Sequence, residues 1–441
     1  MVRPVQGDSL MSYPGYALLA GQPRIRATAA GFHSTILQRG SLAVPLLLMG
    51  IVLPSGLQVL IAGAKLTPTR ICLLVLLLPA VARLLQPSRR LLLSDGLAGT
   101  LALAMVAAAG YAAGPQSAFS AVAEALDFVG AYFVARAFVL EPSAVQQFIR
   151  LIKAFTAIAI CVALVDVLTG HWIVREIMAT LMPQPEAFVD DGTSSADGVR
   201  AGLRRAISTF DHPILYGVFC SLTAAIVLFS ATSAIKRLSW ACLCLFGGLL
   251  SLSSAAVLGM VVVMSSYAYE RLLRRCPWRW PLLWTGAGMF LLAVTAVTNN
   301  PLSWLLSHAT LEPQTGFYRL MIWDAVSAQV WQSPLTGAGF VTFGYYLLDR
   351  TVDSVWLVTS LHYGVPVTIL LIVLNLSAVL PVPGRRPSGI QTGFTIACMV
   401  FLFTGLTVHF WNYMWTFWGV CIGVRASLRE WQMLGAQDER F

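Results

Sequence analysis

The sequence predicts an all-α, polytopic integral membrane protein with about 12 transmembrane helices and two long loops on the outer side. Of its 441 residues, 57% are hydrophobic and only 11% are charged, whereas soluble domains carry roughly 25% charged residues. Apolar stretches of about 20 residues, the length needed to span a bilayer, also recur along the chain. A soluble protein of this composition would lack the polar surface needed to cover its core.

These stretches divide the chain into an N-terminal tail (1–42), a transmembrane domain (43–428) and a C-terminal tail (429–441). The least distinct boundary lies within 237–272, because the chain there is almost uninterruptedly apolar, and a single long helix would change the number of spans. The predicted spans are 43–62, 70–85, 96–113, 117–139, 148–169, 212–232, 237–252, 254–272, 280–298, 354–379, 391–409 and 411–428.

The distribution of positive charge predicts the orientation. With the N-terminus in the cytoplasm, 21 of the 29 Lys and Arg residues fall in cytoplasmic segments and eight in outer ones. This asymmetry is the one that the positive-inside rule describes. We therefore expect both termini in the cytoplasm and an even number of spans.

Several other classes of protein are not indicated. The net charge of +9 would suit nucleic acid, but it follows the membrane topology, so nucleic acid is not a predicted partner. The eight cysteines lie in or beside apolar stretches without a CxxC pair, so no zinc site or disulfide framework is predicted. The HExxH, GxxxxGK[ST] and dinucleotide patterns are missing from the sequence.

The two long outer loops, 170–211 and 299–353, each contain a predicted helix. The first begins with a short amphipathic pattern over 171–178, which suits a helix in the membrane interface. The second has Arg319, Trp323 and Val326 at helical spacing within 315–332.

Arginine is concentrated in these loops, where the positive-inside rule expects little. Arg200, Arg204 and Arg205 cluster before a predicted span, and Arg319 lies in the second loop. A guanidinium donates two parallel hydrogen bonds to phosphate oxygens, so the set suits a diphosphate lipid. Alternatively, the arginines pair with lipid headgroups or with nearby acidic residues, namely Asp190, Asp191, Asp197 or Asp211.

Two acidic residues lie inside a predicted span. Glu124 and Asp127 are three residues apart and share a helix face, and each costs roughly 2.5–3.5 kcal/mol near the centre of a bilayer. They form either a buried pair that holds helices together or part of a functional site. Asp166, near a predicted helix end, is expected to be solvated and is assigned no role.

Two stretches then resemble motifs of one family, the O-antigen ligase and polymerase superfamily. Arg205-Ala-Ile-Ser-Thr-Phe-Asp-His-Pro-Ile214 resembles its Arg…Gly-Thr-Phe…His-Pro segment. Arg319-Leu-Met-Ile-Trp323, followed by Ser333-Pro-Leu-Thr-Gly-Ala-Gly339, resembles its Arg-x-x-x-Trp…Pro-Leu-x-Gly-x-Gly segment. A third stretch, Leu250–Ala256, matches a Thr-x-Ser-Arg-Gly-Ala segment, but Ser254 replaces the arginine. The resemblance covers roughly residues 40–430.

The resemblance implies a GT-C-like glycosyltransferase of the bacterial inner membrane. Its donor would be an oligosaccharide on undecaprenyl diphosphate at the periplasmic face, and no metal or other cofactor would be needed. Arg205 and Arg319 would hold the diphosphate, with Arg204 and Arg200 beside them. Candidate partners besides the lipid bilayer are a chain-length regulator and export proteins. Three further residues are assigned to the lining of the substrate site: His212, Trp323 and His308.

Within the family, this chain resembles a polysaccharide polymerase more than a ligase that transfers glycan to lipid A core. Ligases share a His-[Asn/Ser/Gln]-x9-Gly-x-x-Gly-Thr motif, and here Asp353 replaces the histidine and Val367 replaces the second glycine. Asp353 is the candidate general base, and the alternative is that it only caps a helix. A ligase, a transporter for lipid-linked glycan or solute, and a scaffold in polysaccharide export remain as alternative functions.

Overall fold

The computed structural model describes residues 33–54, 56–61, 64–182, 198–200, 202–231, 233–276, 278–298, 313–349 and 351–438. Residues Ser41–Phe441 form one compact unit, to which the description below refers. Met1–Gly40 forms a separate unit, of which 33–40 are helical. Of the residues that the structure describes, 76% are helical.

The helices lie close to the predicted spans. They are α1 (His33–Val52), α2 (Pro68–Leu84), α3 (Leu93–Ala125), α4 (Ala131–Phe138), α5 (Pro142–Thr169), α6 (Ile173–Leu181), α7 (Pro213–Ser230), α8 (Ala234–Leu250), α9 (Ser254–Leu272), α10 (Arg279–Val297), α11 (Pro313–Val330), α12 (Tyr346–Asp349), α13 (Val355–Tyr363), α14 (Val365–Val379), α15 (Gly389–Thr404) and α16 (Tyr413–Asp438). A π-helical turn, Leu126–Gly130, joins α3 to α4. Two short hairpins pair β1 (Val59–Ile61) with β2 (Ala64–Leu66), and β3 (Val199–Arg200) with β4 (Leu203–Arg204).

Three helical runs in the described part of the chain are long and apolar enough to cross a membrane, and they are Leu93–Phe138, Pro142–Thr169 and Pro213–Ser230. Shorter apolar helices cover Leu42–Val52, Pro281–Val297, Val365–Val379 and Gly389–Thr404. The structure thus has the apolar helices of an all-α membrane protein.

The run Leu93–Phe138 folds back on itself. Its backbone leaves helical geometry at Ala113 and Gly114, where Gly114 has a φ of +79°. At the far end from this break, the hydroxyl groups of Tyr132 and Ser94 are hydrogen-bonded at 2.9 Å, although the two residues are 38 positions apart. A straight 46-residue helix would separate them by tens of ångströms, since each residue adds about 1.5 Å. The run is therefore an antiparallel hairpin, as the two predicted spans 96–113 and 117–139 require.

The uncertain stretch 237–272 contains two helices, α8 and α9. Ser251–Ser253 separates them, and Leu252 has a φ of +44°. Ser253 caps α9 by accepting a hydrogen bond from the Ala256 amide at 3.5 Å. The division into two helices is confirmed.

The predicted span 354–379 is broken at Gly364 into α13 and α14. The Pro-Leu-Thr-Gly-Ala-Gly segment packs against this break, where the Ala338 and Gly339 amides donate to the carbonyls of Leu361 and His362 at 2.7 and 3.1 Å. A Cβ on Gly364 would lie 2.4 Å from the Leu335 carbonyl oxygen, so a side chain does not fit there. The glycines of both segments allow the two backbones to meet.

One predicted helix is displaced. The helix predicted over 43–62 begins at His33 and ends at Val52, because Pro54 and Gly56 follow and lead into the β1–β2 hairpin. Helix α16 continues beyond the predicted span to Asp438, and the buried Glu430 side chain ties this part of α16 to the core.

Buried charges hold α16 against α3 and α4. The Arg136 side chain is fully buried, and its Nε lies 3.1 Å from Asp95 Oδ1. Arg136 also forms an ion pair with Glu430, which accepts a second one from Arg89 at 2.9 Å. Removing one partner of such a group leaves an uncompensated buried charge. The cluster therefore fixes the end of the bundle opposite to the Ala113–Gly114 break.

Nearer the N-terminus of α16, Gly419 and Gly423 allow this helix to contact the π-helical turn and α4 directly. A Cβ on Gly419 would lie 2.2 Å from the Phe128 carbonyl oxygen, and one on Gly423 would lie 2.4 Å from that of Tyr132. Small residues spaced by four permit such close packing between helices in membranes.

We therefore expect Gly423→Ala to destabilise the protein by about 1–3 kcal/mol, because the added methyl group must push α16 away from α4. The measurement is the apparent Tm of the detergent-solubilised protein. Gly435→Ala, on the same helix but with no atom within 4 Å of the new Cβ, should leave the Tm unchanged or raise it slightly. Equal Tm values for the two variants would contradict the close contact.

Candidate functional site

The residues between α15 and α16 form the centre of the candidate site. This segment, 405–412, is not helical, whereas the sequence predicted spans that almost touch at 409–411. The Gly405 carbonyl oxygen accepts hydrogen bonds from the Ser354 hydroxyl and the Val355 amide, both at 3.0 Å. The 405–412 segment thus holds the start of α13 and, with it, the position of Asp353.

Two of the predicted arginines bind the turn between α8 and α9. Arg205, which is 4% exposed, donates from Nε to the Ser251 carbonyl at 3.1 Å. Arg200 donates from Nη1 to the next carbonyl, that of Leu252, at 2.9 Å. The stretch Leu250–Ala256 therefore lies directly beside Arg205 and Arg200.

Arg204 has a different environment from its neighbour. Its guanidinium lies 4.0 Å from the ring centroid of Trp172, a cation–π arrangement. The indole Nε1 of Trp172 donates to the Arg205 carbonyl at 2.8 Å. Trp172 immediately precedes α6, the short helix predicted over 171–178. Its contacts with Arg204 and Arg205 therefore link the start of this helix to the arginine segment.

Arg319 and Asp353 line one small cavity. The cavity has a volume of about 190 Å³ and is also lined by Trp323, Ser354 and Thr407. Arg319 is 9% exposed, and its Nε has no hydrogen-bond partner among the described residues. A buried donor without a partner is costly, which makes this position suited to an anionic acceptor from a ligand.

Three of the predicted residues, Arg319, Asp353 and Arg200, interact electrostatically. Burial lowers the pKa of the Arg319 guanidinium, Asp353 acts in the opposite direction, and the positive charge of Arg200 lowers it further. Arg319 therefore lies within electrostatic range of Asp353 and Arg200, although the three residues are far apart in sequence. With Arg205 beside Arg200 on the α8–α9 turn, the structure brings four of the predicted residues to one region.

The first helical turn of α13 bears on the role of Asp353. The N-cap residue of this helix is Ser354, and its hydroxyl bonds to Gly405 instead of to its own helix. Asp353 lies one residue before the cap. The interpretation of Asp353 as the N-cap was wrong, because the 405–412 segment pulls the start of the helix to Ser354.

Asp166 organises the arginine segment, which the sequence did not indicate. Its side chain is fully buried and accepts hydrogen bonds from the amides of Ile173, Ile207 and Ser208 at 3.3, 3.2 and 2.8 Å. The expectation that it is solvated was wrong. Ser208 has a φ of +57°, so the carboxylate also stabilises a strained backbone position. An acidic residue in an apolar run was the only signal for this role.

The remaining predicted residues differ in how far the structure describes them. His212 is the N-cap of α7, where its Nδ1 accepts from the Ile214 amide at 3.2 Å, and its ring contacts Trp411. Trp323 lines the cavity of Arg319. His308 lies outside the described residues, as do Asp190, Asp191 and Asp197.

Glu124 and Asp127 are both bonded across helices. Arg70 donates to Asp127 from Nη2 at 2.8 Å, and the Tyr363 hydroxyl donates to Glu124 at 2.7 Å. These bonds agree with the alternative in which the two acids hold helices together. Both side chains also line a larger cavity, which is treated below.

Comparison with known proteins adds no family assignment, since no family model and no curated protein matches the chain.

We expect Asp166→Ala to loosen the arginine segment, because the change leaves three amides without their acceptor and each unsatisfied buried group costs about 1–3 kcal/mol. The measurement is hydrogen exchange of peptides covering 205–211, which should become faster. Asp324→Ala, at an exposed position of α11, is the matched control and should not change this exchange. Unaltered exchange in Asp166→Ala would show that the carboxylate does not hold the segment.

Proposed function

We propose that this protein is a polysaccharide polymerase, an inverting glycosyltransferase that joins undecaprenyl-diphosphate-linked repeat units. The observation that supports this most directly is the buried Arg319, whose Nε lacks a partner among the described residues and which lies near Arg200 and Asp353. This arrangement offers positive charge for a diphosphate and a carboxylate for a hydroxyl nucleophile. Arg319 lies in a segment that resembles a family motif, and Asp353 stands in place of the ligase histidine.

The proposal includes a topology of twelve spans in a bacterial inner membrane. The candidate site is built from the start of α7, the α8–α9 turn, the start of α13 and the 405–412 segment. In the charge-derived topology, all four lie on the periplasmic side. The cluster of Arg89, Arg136 and Glu430 lies on the cytoplasmic side. A lipid-linked donor in the outer leaflet then has its diphosphate at the level of the arginines.

The reaction follows from the charges of the site. The acceptor hydroxyl attacks the anomeric carbon of the donor sugar as the bond from that carbon to the diphosphate oxygen breaks. The electron pair goes to the diphosphate, whose negative charge the buried guanidinium groups of Arg205 and Arg319 stabilise. The hydroxyl proton goes to the carboxylate of Asp353. One displacement of this kind inverts the anomeric configuration and releases undecaprenyl diphosphate.

Polymerase activity is proposed over ligase activity because of the α13–α14 region. Asp353 stands where ligases have histidine, and the buried Val367 stands where they have their second glycine. The first glycine of that motif is retained as Gly364, at the break between the helices. The chain thus retains the first glycine of the motif and changes the residue that would contact the acceptor.

The proposal predicts that Arg205→Lys and Arg319→Lys each reduce polymer yield roughly ten- to 100-fold. Lysine keeps the charge but loses the planar pair of donors, and charge-assisted hydrogen bonds are worth about 1.5–3 kcal/mol. The measurement is polymer per cell at matched protein level in the membrane.

Arg386→Lys is the control for these two variants, because Arg386 is exposed and lies in the segment before α15 that is predicted to be cytoplasmic. Its polymer yield should equal that of the wild type. Normal polymer from both Arg205→Lys and Arg319→Lys would remove the arginine assignment.

A second prediction concerns Asp353→Asn. Asparagine retains the shape but does not accept a proton at neutral pH, and general base catalysis contributes about 10²–10⁴-fold in rate. We expect polymer to be lost while the protein level and the apparent Tm stay near those of the wild type. Asp349→Asn, whose carboxylate accepts from the Phe343 and Tyr345 amides, is the matched control in the same loop. Near-normal polymer in Asp353→Asn would exclude Asp353 as the base.

A further inference from the structure

A second and larger cavity lies on the other side of the 405–412 segment. Its empty volume is about 490 Å³, including the space that is open to solvent. Its lining includes Arg70, Glu124, Asp127, Tyr363, Trp411 and Trp415. We call it the Glu124 cavity.

The polar groups of the Glu124 cavity are held in fixed positions. Arg70 binds both oxygens of Asp127, with Nε at 3.1 Å from each. The Tyr363 hydroxyl donates to Oε2 of the Glu124 carboxylate at 2.7 Å, which fixes the orientation of this carboxylate at the cavity wall. A positioned carboxylate oxygen is a strong acceptor for ligand hydroxyl groups.

Two indole rings give the cavity apolar walls with fixed orientation. Trp415 donates from Nε1 to the Glu124 carbonyl at 3.1 Å. The ring of Trp411 contacts those of His212 and His409, at centroid distances of 5.9 and 5.5 Å. Rings held in this way present large apolar area at little entropic cost on binding.

The charge of the cavity selects among possible ligands. Asp127 pairs with Arg70, so the cavity offers no uncompensated positive charge, and an anion such as a diphosphate is disfavoured. No group of three or more His, Cys, Asp or Glu side chains with metal-ligand geometry occurs among the described residues. A carboxylate acceptor beside indole faces instead suits a neutral saccharide, whose hydroxyl groups donate and whose C–H faces are apolar.

The Glu124 cavity is adjacent to the smaller cavity that Arg319 and Asp353 line, which we call the Arg319 cavity. Ser354 and Leu357 of the α13 region line the Arg319 cavity, and the next residues, Val358 and Thr359, line the Glu124 cavity. The 405–412 segment also lines both cavities, since Thr407 lines the Arg319 cavity and His409 lines the Glu124 cavity. The two cavities are therefore separated only by one turn of helix and one stretch of backbone.

The segment that carries Arg205 also reaches the Glu124 cavity. Asp211 accepts a hydrogen bond from Asn412 at 2.7 Å, and Asn412 lines the cavity. Asn412 has a φ of +51°, so this contact fixes a strained position at the rim. A ligand in the Glu124 cavity would thus lie next to a residue that is hydrogen-bonded to the segment carrying Arg205.

We propose that the Glu124 cavity binds a neutral saccharide, and, on the basis of the proposed function, that this is the acceptor end of the growing glycan. Glu124 accepts hydrogen bonds from its hydroxyl groups, and Trp411 and Trp415 contact its C–H faces. The acceptor is thereby held beside Asp353, while its lipid diphosphate stays outside the cavity.

The test is direct binding of the free repeat-unit oligosaccharide, released from its lipid by mild acid, to the purified full-length protein. Saturation-transfer NMR gives the contact and a titration gives Kd. Glu124→Gln and Trp411→Leu should each weaken binding about tenfold or more, since each removes a charged acceptor or a ring face. Glu270→Gln and Trp331→Leu, away from the cavity, are the matched controls and should bind as the wild type does. The Tm of each variant is measured alongside.

Arg319→Lys separates this inference from the proposed function, because it should bind the oligosaccharide with unchanged Kd while its polymer yield falls. Absence of oligosaccharide binding to the wild type would overturn the inference, as would equal Kd values for Glu124→Gln, Trp411→Leu and the controls. Displacement of the oligosaccharide by sodium ions would identify a cation site and overturn it too. Polymer formation by the wild type, measured separately, tests only the proposed function.

Discussion

The candidate site depends on one constraint, which is that backbone groups freed where a helix breaks in an apolar environment must find hydrogen-bond partners. The helix breaks on the predicted periplasmic side meet this constraint through side chains and backbone amides of the two outer loops. Arg205 and Arg200 bind the carbonyls of Ser251 and Leu252. The Ala338 and Gly339 amides bind those at the end of α13. The same residues that build the site thus also stabilise the fold around it, which explains why they lie so close together.

Because these residues also stabilise the fold, their side chains are held in place before a substrate binds. A guanidinium that is anchored by a backbone carbonyl is already oriented when a phosphate arrives, so less entropy is lost on binding. Arg205 is held in this way by Ser251. Arg319 is held by burial on α11, whose Ile322, Val326 and Val330 pack against α13. The proposed donor site therefore has rigid walls on both sides, and the helix that carries Arg319 is joined to the one that follows Asp353.

The sequence predicted the positions of most helices, because long apolar runs and Pro or Gly near their ends determine them. It also predicted that 237–272 divides and that Arg319, Trp323 and Val326 share a face, which the packing of α11 confirms. It missed the 405–412 segment, since Gly405–Trp411 is mostly apolar and one glycine, here the C-cap Gly405, is a weak stop signal within such a run. It missed the role of Asp166, because its partners, the amides of 173, 207 and 208, are brought to it only by the tertiary fold. The Glu124 cavity was indicated only by two acids on one face; Tyr363 and Trp411 come from distant segments.

The most direct test of polymerase activity uses the purified protein in liposomes that contain undecaprenyl-diphosphate-linked repeat units. The account predicts new glycosidic bonds, seen as lipid-linked products of two or more repeat units, together with one undecaprenyl diphosphate released per bond. These products should be strongly reduced in Asp353→Asn. Movement of intact repeat units across the bilayer without any new glycosidic bond would contradict the account and would identify a carrier instead.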